Sequence, residues 1–220
     1  MITKLKRKMA IQKDGPNGAY IGKVGSVYGY VLNGQNIIRG KRKPSTKKPT
    51  PDMLLNRAKM KAASHFATML VPCFRYGYRE LAPKGSRVGA VQLAQSHIFK
   101  ECLEIDEKGK PYVNPEKVRV FRGSLNPPKD CSVWQENNTL YFKWNYEAVR
   151  GSYTYRINIV VYDIDHAFVF KIAEEDVHKG EYSMMCDLLT YKKGALYVYM
   201  GVVDAYTEEL SDSVYVGAVE

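Results

Sequence analysis

Apolar residues alternate with glycine and polar residues in the first forty positions, then recur at helical spacing, then alternate again to the end of the chain. Tyr20, Ile21, Val24, Val27, Tyr28, Tyr30, Val31, Leu32, Ile37 and Ile38 are strand-forming residues set between Gly15, Gly18, Gly22, Gly25, Gly29, Gly34 and Gly40. Asn33-Gly34 between two apolar runs is a strong hairpin signal and predicts strands over 26–32 and 35–39. Glycine at this density inside strands predicts close approach of another backbone. A lone hairpin is marginal in water, so it is expected to dock on something.

Residues 40–49 read as a basic linker. Thr50 then suits an N-cap, Pro51 the first helical position and Asp52 the first turn. Leu55, Ala58, Ala62, Phe66, Met69 and Leu70 share one helical face, and Pro72 ends the run. Further helix is expected over 73–81 and near 88–103, where Val88, Val91, Ala94, Ile98 and Cys102 align, with Lys84-Gly85-Ser86 as the break. Gly109, Pro111 and Pro115 mark a boundary. Beyond it, strands are expected over 117–122, 132–135, 139–145, 154–163, 166–172, 181–187, 195–204 and 213–219, separated by turn residues. The fold class implied is α+β. A basic arm with a β-hairpin (1–49) precedes a short helical segment (50–108) and an antiparallel β-sandwich (109–220). Trp144, in the alternating run Leu140-Tyr141-Phe142-Lys143-Trp144, suits the core tryptophan of an immunoglobulin- or fibronectin-like domain.

Charge divides the chain the same way. Residues 1–50 hold twelve Lys and Arg against one acid, Asp14, a net +11, whereas the other 170 residues hold 21 basic and 22 acidic side chains, a net −1. The basicity therefore belongs to the arm and points to nucleic acid, an acidic protein surface or an anionic membrane. Seventeen tyrosines against seven phenylalanines suit half-wet strands and contact surfaces better than an oily cleft. Cys73, Cys102, Cys131 and Cys186 form no Cys-x-x-Cys pair and read as buried free thiols in a reducing compartment. No run of eighteen apolar residues predicts a membrane span, and no apolar segment follows the basic start. A cytoplasmic or particle-associated protein is expected.

The string Gly22-Lys23-Val24-Gly25-Ser26-Val27-Tyr28-Gly29-Tyr30, followed by Asn33-Gly34 and Ile37-Ile38-Arg39, resembles the opening of a domain-of-unknown-function family common in Bacteroidota. So do Lys48-Pro49-Thr50-Pro51 leading into Leu54-Leu55-Asn56-Arg57-Ala58-Lys59, and the ending Ser211-Asp212-Ser213-Val214-Tyr215-Val216-Gly217. The resemblance spans nearly the whole chain. It departs at Tyr30-Val31-Leu32, where the family pattern has a tryptophan and more charge. It implies a grouping and no mechanism.

Candidate chemistry is sparse. A phosphate loop needs glycine where Asn17 stands and Ser or Thr where Val24 stands. His65 has no ligand partner one turn on, and His97 has no carboxylate or cysteine at ligand spacing. Asp163, Asp165 and His166 form one cluster that suits a metal or a base, but Asp equally favours a solvated turn. Glu174-Glu175-Asp176 reads as a solvated charge run. There is no Gly-x-Ser-x-Gly elbow, and no catalytic residue, metal or cofactor is assigned.

What remains is binding. Lys23, Arg39, Lys41, Arg42, Lys43, Lys47 and Lys48, interleaved with Tyr20, Tyr28 and Tyr30, form the candidate surface for a partner or nucleic acid. The expectation is a non-enzymatic structural or assembly protein, a phage virion or large-particle component, whose arm docks on a neighbouring subunit. The alternatives are a nucleic-acid-binding module and an adhesin- or carbohydrate-binding sandwich that uses exposed aromatic residues.

Overall fold

The computed structural model describes residues 11–12, 15, 18–32, 34–40, 48–83, 88–147, 149, 151–164, 167–191 and 194–219. The chain divides into two units, one of residues 1–49 with 83–89 and one of residues 50–82 with 90–220.

In the first unit, β1 (Ile11–Gln12), β2 (Tyr20–Val24), β3 (Val27–Leu32) and β4 (Gln35–Gly40) form an antiparallel meander in sequence order. The predicted hairpin forms as β3–β4, with Leu32 opposite Gln35 and Val27 opposite Gly40. Gly34 makes the turn possible with φ +81°, a conformation costly for any residue with a Cβ. The glycines also serve a second purpose. A methyl group at Gly29 would lie 2.3 Å from the Tyr20 carbonyl oxygen, so β2 curls over β3 only because that position is bare.

The second unit opens with α1 (Pro51–Met69). Thr50 caps it, its hydroxyl accepting from the Met53 N–H at 3.3 Å, and Asp52 sits in the first turn. Pro72 stands in the first turn of α2 (Val71–Gly77), where its missing N–H costs nothing. α3 (Ala90–His97) runs on into a π-helical turn over Ile98–Cys102. A hairpin that the apolar pattern did not reveal follows, β5 (Leu103–Ile105) with β6 (Pro111–Val113).

Seven of the eight expected β runs then form strands: β7 (Lys129–Glu136), β8 (Thr139–Asn145), β9 (Tyr155–Tyr162), β10 (Phe168–Asp176), β11 (Glu181–Met185), β12 (Leu196–Asp204) and β13 (Val214–Val219). They make two antiparallel sheets, ordered β11-β8-β7 and β10-β9-β12-β13. The exception is 117–122, which joins no ladder. Its backbone groups are satisfied one at a time instead: Val120 N–H by the Ser213 hydroxyl at 2.8 Å, and Arg122 N–H by the Gly77 carbonyl at 2.9 Å.

The two inner strands of this four-stranded sheet, β9 and β12, are buried on both faces. Ile157, Ile159 and Val161 of β9 and Val198, Met200 and Val202 of β12 face the three-stranded sheet, meeting Leu140, Phe142 and Trp144. Val160, Tyr162 and Tyr199, one residue out of phase, face Phe66, Leu70, Phe74, Ile98 and Phe121 of the helical layer. A strand covered on both sides needs no alternation, which is why Ile157 to Tyr162 is apolar apart from Asn158. Asn158 is buried, and its side-chain oxygen accepts from the Ala173 N–H at 2.8 Å, where β10 bulges. The unit is thus a mixed α+β, sandwich-like body with three layers: helices, a central sheet and an outer sheet.

Candidate binding surface of the N-terminal sheet

Register decides which of the predicted binding residues meet. Lys23 on β2, Tyr28 on β3 and Arg39 on β4 are consecutive cross-strand partners, so they form one row on one face. The Arg39 guanidinium lies 5.5 Å from the centre of the Tyr28 ring, within cation–π range. Tyr30, two residues along β3, stacks on Tyr28 with ring centres 6.1 Å apart. Four predicted residues therefore form one cationic and aromatic platform. Tyr20 does not join them. It lies in phase with Gly22 and Val24 and faces the opposite side.

That opposite side is aliphatic. Val24, Val27, Val31 and Ile38 share it and are 48, 40, 46 and 57% exposed. Val24, Val27 and Ile38, with Tyr20, border a shallow hollow of about 170 Å³ floored by Gly22 and Gly29. The sheet thus separates two chemistries, and period-2 alternation along β3 (Val27-Tyr28-Gly29-Tyr30-Val31) generates both. Lys48 is exposed just before α1. Lys41, Arg42, Lys43 and Lys47 lie outside the described residues.

The other candidates resolve differently. His97, Glu101 and Cys102 do meet, contrary to the reading of the spacing. The His97 Nδ1 lies 3.2 Å from the Glu101 carboxylate, and its Nε2 lies 3.7 Å from the Cys102 sulfur. The π turn puts residues five apart on one face, a spacing the α-helical rule skips. Nucleophile, base and carboxylate are adjacent, yet the thiol is buried. Desolvation pushes its pKa up to about 12, and it lies 3.2 Å from the Lys117 carbonyl, to which it donates. A thiol held protonated and away from solvent is a packing group rather than a nucleophile.

Glu174, Glu175 and Asp176 lie on β10 rather than in a solvated loop. Each has a partner: the Tyr182 hydroxyl at 2.6 Å, Lys179 at 2.7 Å and Arg156 at 3.0 Å, respectively. Asp163 N–H donates to the Ala167 carbonyl at 2.9 Å and closes the β9–β10 turn. Asp165 and His166 lie outside the described residues. Among the described residues, no group of three or more His, Cys, Asp and Glu side chains is placed to hold a metal ion. No described helix is long and apolar enough to cross a membrane.

The Ser211-Asp212-Ser213 motif also has a structural account. Ser211 and Ser213 hydroxyls accept from the Val202 and Val120 N–H groups, each at 2.8 Å. Asp212 pairs with Arg119 and Arg122 and accepts from the Gly123 N–H. The motif therefore ties the strand-free segment 118–123 to the edge of the central sheet. On the outer sheet, Trp134 and Tyr141 are cross-strand partners with rings 5.5 Å apart and nearly parallel. No family model matches the chain, and no curated protein matches it significantly.

Proposed function

We propose that this chain is a non-enzymatic assembly protein whose N-terminal sheet docks on a neighbouring copy. The observation that carries the reading is the aliphatic face of Val24, Val27, Val31 and Ile38, left 40 to 57% exposed on a four-stranded sheet. Branched aliphatic side chains gathered on one sheet face are the composition of an interface. The residue-50-onward unit then acts as the rigid body that repeats in the assembly, as in a virion or another large particle. The seven strands β7 to β13 fit an immunoglobulin/fibronectin-like type. Lettered A to G in chain order, A, B and E form one sheet and C, D, F and G the other, with Trp144 on strand B. This is the immunoglobulin constant arrangement with strand D moved across. We further propose that the chain belongs with the Bacteroidota domain family its motifs resemble.

Sedimentation velocity over a concentration series tests the reading. The wild-type chain is expected to self-associate, and Val31→Glu and Ile38→Glu to sediment as monomers with an unchanged Tm. Because each arm carries a large positive charge, association should strengthen as added salt screens the repulsion. A monomer at every concentration and salt would overturn it.

A second reading rests on the other face. The Lys23–Tyr28–Arg39 row, extended by Tyr30, offers two cations for phosphates and stacking rings for bases. Fluorescence anisotropy with a single-stranded oligonucleotide should then show affinity falling with salt. Lys23→Gln with Arg39→Gln should lower the log K against log salt slope by about 1 to 2. The two readings predict opposite responses to salt.

A further inference from the structure

We infer that the second unit carries a binding pocket for a small amphiphilic anion, separate from the N-terminal sheet. A cavity of about 490 Å³ opens between α1, the β5–β6 hairpin and the ends of β9 and β12. That volume is in the range that holds small ligands. Its origin is local. Ala58 and Ala62 lie on one stripe of α1, and their short side chains leave a trough between the helix and β6.

The lining has a definite polarity. Phe66, Pro111, Val113, Ile164 and Tyr197 give the trough apolar walls. Lys61 on the helix bank and Lys110 on the hairpin bank supply an ammonium at each side, and His65 and Tyr112 complete the rim. Among the described residues, no carboxylate lines the cavity. Glu104 and Asp106 of the β5–β6 hairpin are already engaged: Glu104 accepts from Lys117, Asn114 and Tyr112, and Asp106 from the Lys108 and Lys110 backbone N–H groups. Among the described residues, Lys61 and Lys110 have no ion-pair partner, while nine other basic side chains of this unit do. An apolar trough flanked by two unneutralised cations selects a ligand with an apolar body and a terminal carboxylate or phosphate, and disfavours cations.

Isothermal titration of the full chain with octanoate, octyl phosphate and octanol tests this. At least one anion should bind saturably and at least about tenfold more tightly than the alcohol. The two anions distinguish a carboxylate from a phosphate head. Lys61→Gln with Lys110→Gln, both at exposed positions, should reduce the anion to the level of the alcohol. Ala58→Phe, on the exposed lip, should fill the trough and remove both. Equal binding of anion and alcohol, insensitivity to either variant, or no saturable binding of any probe would overturn the inference. Sedimentation of the same variants should match wild type, so failure here leaves the assembly reading standing.

Discussion

The two large sheets of this chain show how one residue vocabulary is used in two ways. In the central sheet every side of β9 and β12 is covered, and aliphatic residues on one face give way to tyrosines on the other. In the N-terminal sheet β3 alternates valine with tyrosine in the same manner, but Val24, Val27, Val31 and Ile38 stay exposed. The difference is what the tyrosines reach. Tyr162 and Tyr199 are buried, and each donates its hydroxyl to a backbone carbonyl in another element, Phe66 at 2.6 Å and Pro115 at 3.0 Å. Tyr78 does the same to Arg119 at 2.9 Å. Buried this way, tyrosine binds layers together, and desolvation drives the Tyr199 and Tyr78 hydroxyls well above their ordinary pKa. Tyr28 and Tyr30 instead stack on each other, and the Arg39 guanidinium lies over the Tyr28 ring. Tyrosine count alone therefore did not separate contact surface from core.

Glycine sharpens the contrast, and it gives the largest expected effect. A methyl group at Gly123 would lie 1.9 Å from the Leu210 carbonyl oxygen, and one at Gly77 would lie 2.2 Å from that of Val120. Neither clash can be relieved by rotating a side chain, because backbone meets backbone. Gly123→Ala is expected to destabilise the chain by roughly 3 kcal/mol or more by displacing segment 118–123 from the central sheet. Gly34→Ala meets open space and bears only the cost of its positive φ, about 1 kcal/mol. Chemical denaturation of both variants reads the difference. Equal losses would mean that the segment is less tightly seated than its contacts imply.

A smaller effect separates the tyrosines themselves. Tyr162→Phe keeps the ring against Phe66 and removes only the hydroxyl that Phe66 O accepts from. The expected loss is about 1 to 2 kcal/mol, since a buried carbonyl is left with one partner fewer. Tyr30→Phe on the N-terminal sheet should leave stability within about 0.5 kcal/mol. A thermal melt distinguishes them, and an equal effect would erase the distinction between tether and surface.

The parts of this architecture that depend on neighbours in sequence were legible in it. Thr50-Pro51-Asp52 announced α1, Asn33-Gly34 the hairpin, and strand-forming runs between turn residues the seven strands. The parts that depend on partners far along the chain were not. Lys117 to Arg122 reads as a strand by composition, but its hydrogen bonds go to Ser213 and Gly77, which no window of local sequence contains. His97 and Cys102 looked unrelated because they are five apart, and only a π turn aligns them. The hairpin β5–β6 was hidden by its charged turn and by Pro111, which ordinarily argues against a strand and is here its first residue. The candidate platform was half legible. Residue types picked out Lys23, Arg39, Tyr28 and Tyr30, while only the register could place Tyr20 on the other face.

Acid offers the last and smallest contrast. Residues 15–50 contain no carboxylate side chain, so strands β2 to β4 have nothing to protonate below neutrality, and Asp14 is the one acid of residues 1–50. The second unit does. Lys117, hydrogen-bonded to Glu104 at 2.8 Å, holds its carboxyl down at about 2, with Asn114 and Tyr112 also donating to it. A carboxyl whose folded pKa lies below its ordinary value of 4.5 contributes stability above that value and loses it as pH falls towards about 2. Glu104→Gln should therefore lower Tm slightly at neutral pH, and the two Tm curves should converge across that window. The effect is modest because the pair is solvent-screened. Self-association through the N-terminal sheet should show no matching step over the pH range in which the second unit stays folded. A parallel loss of association in that range would mean that the two regions are coupled rather than independent.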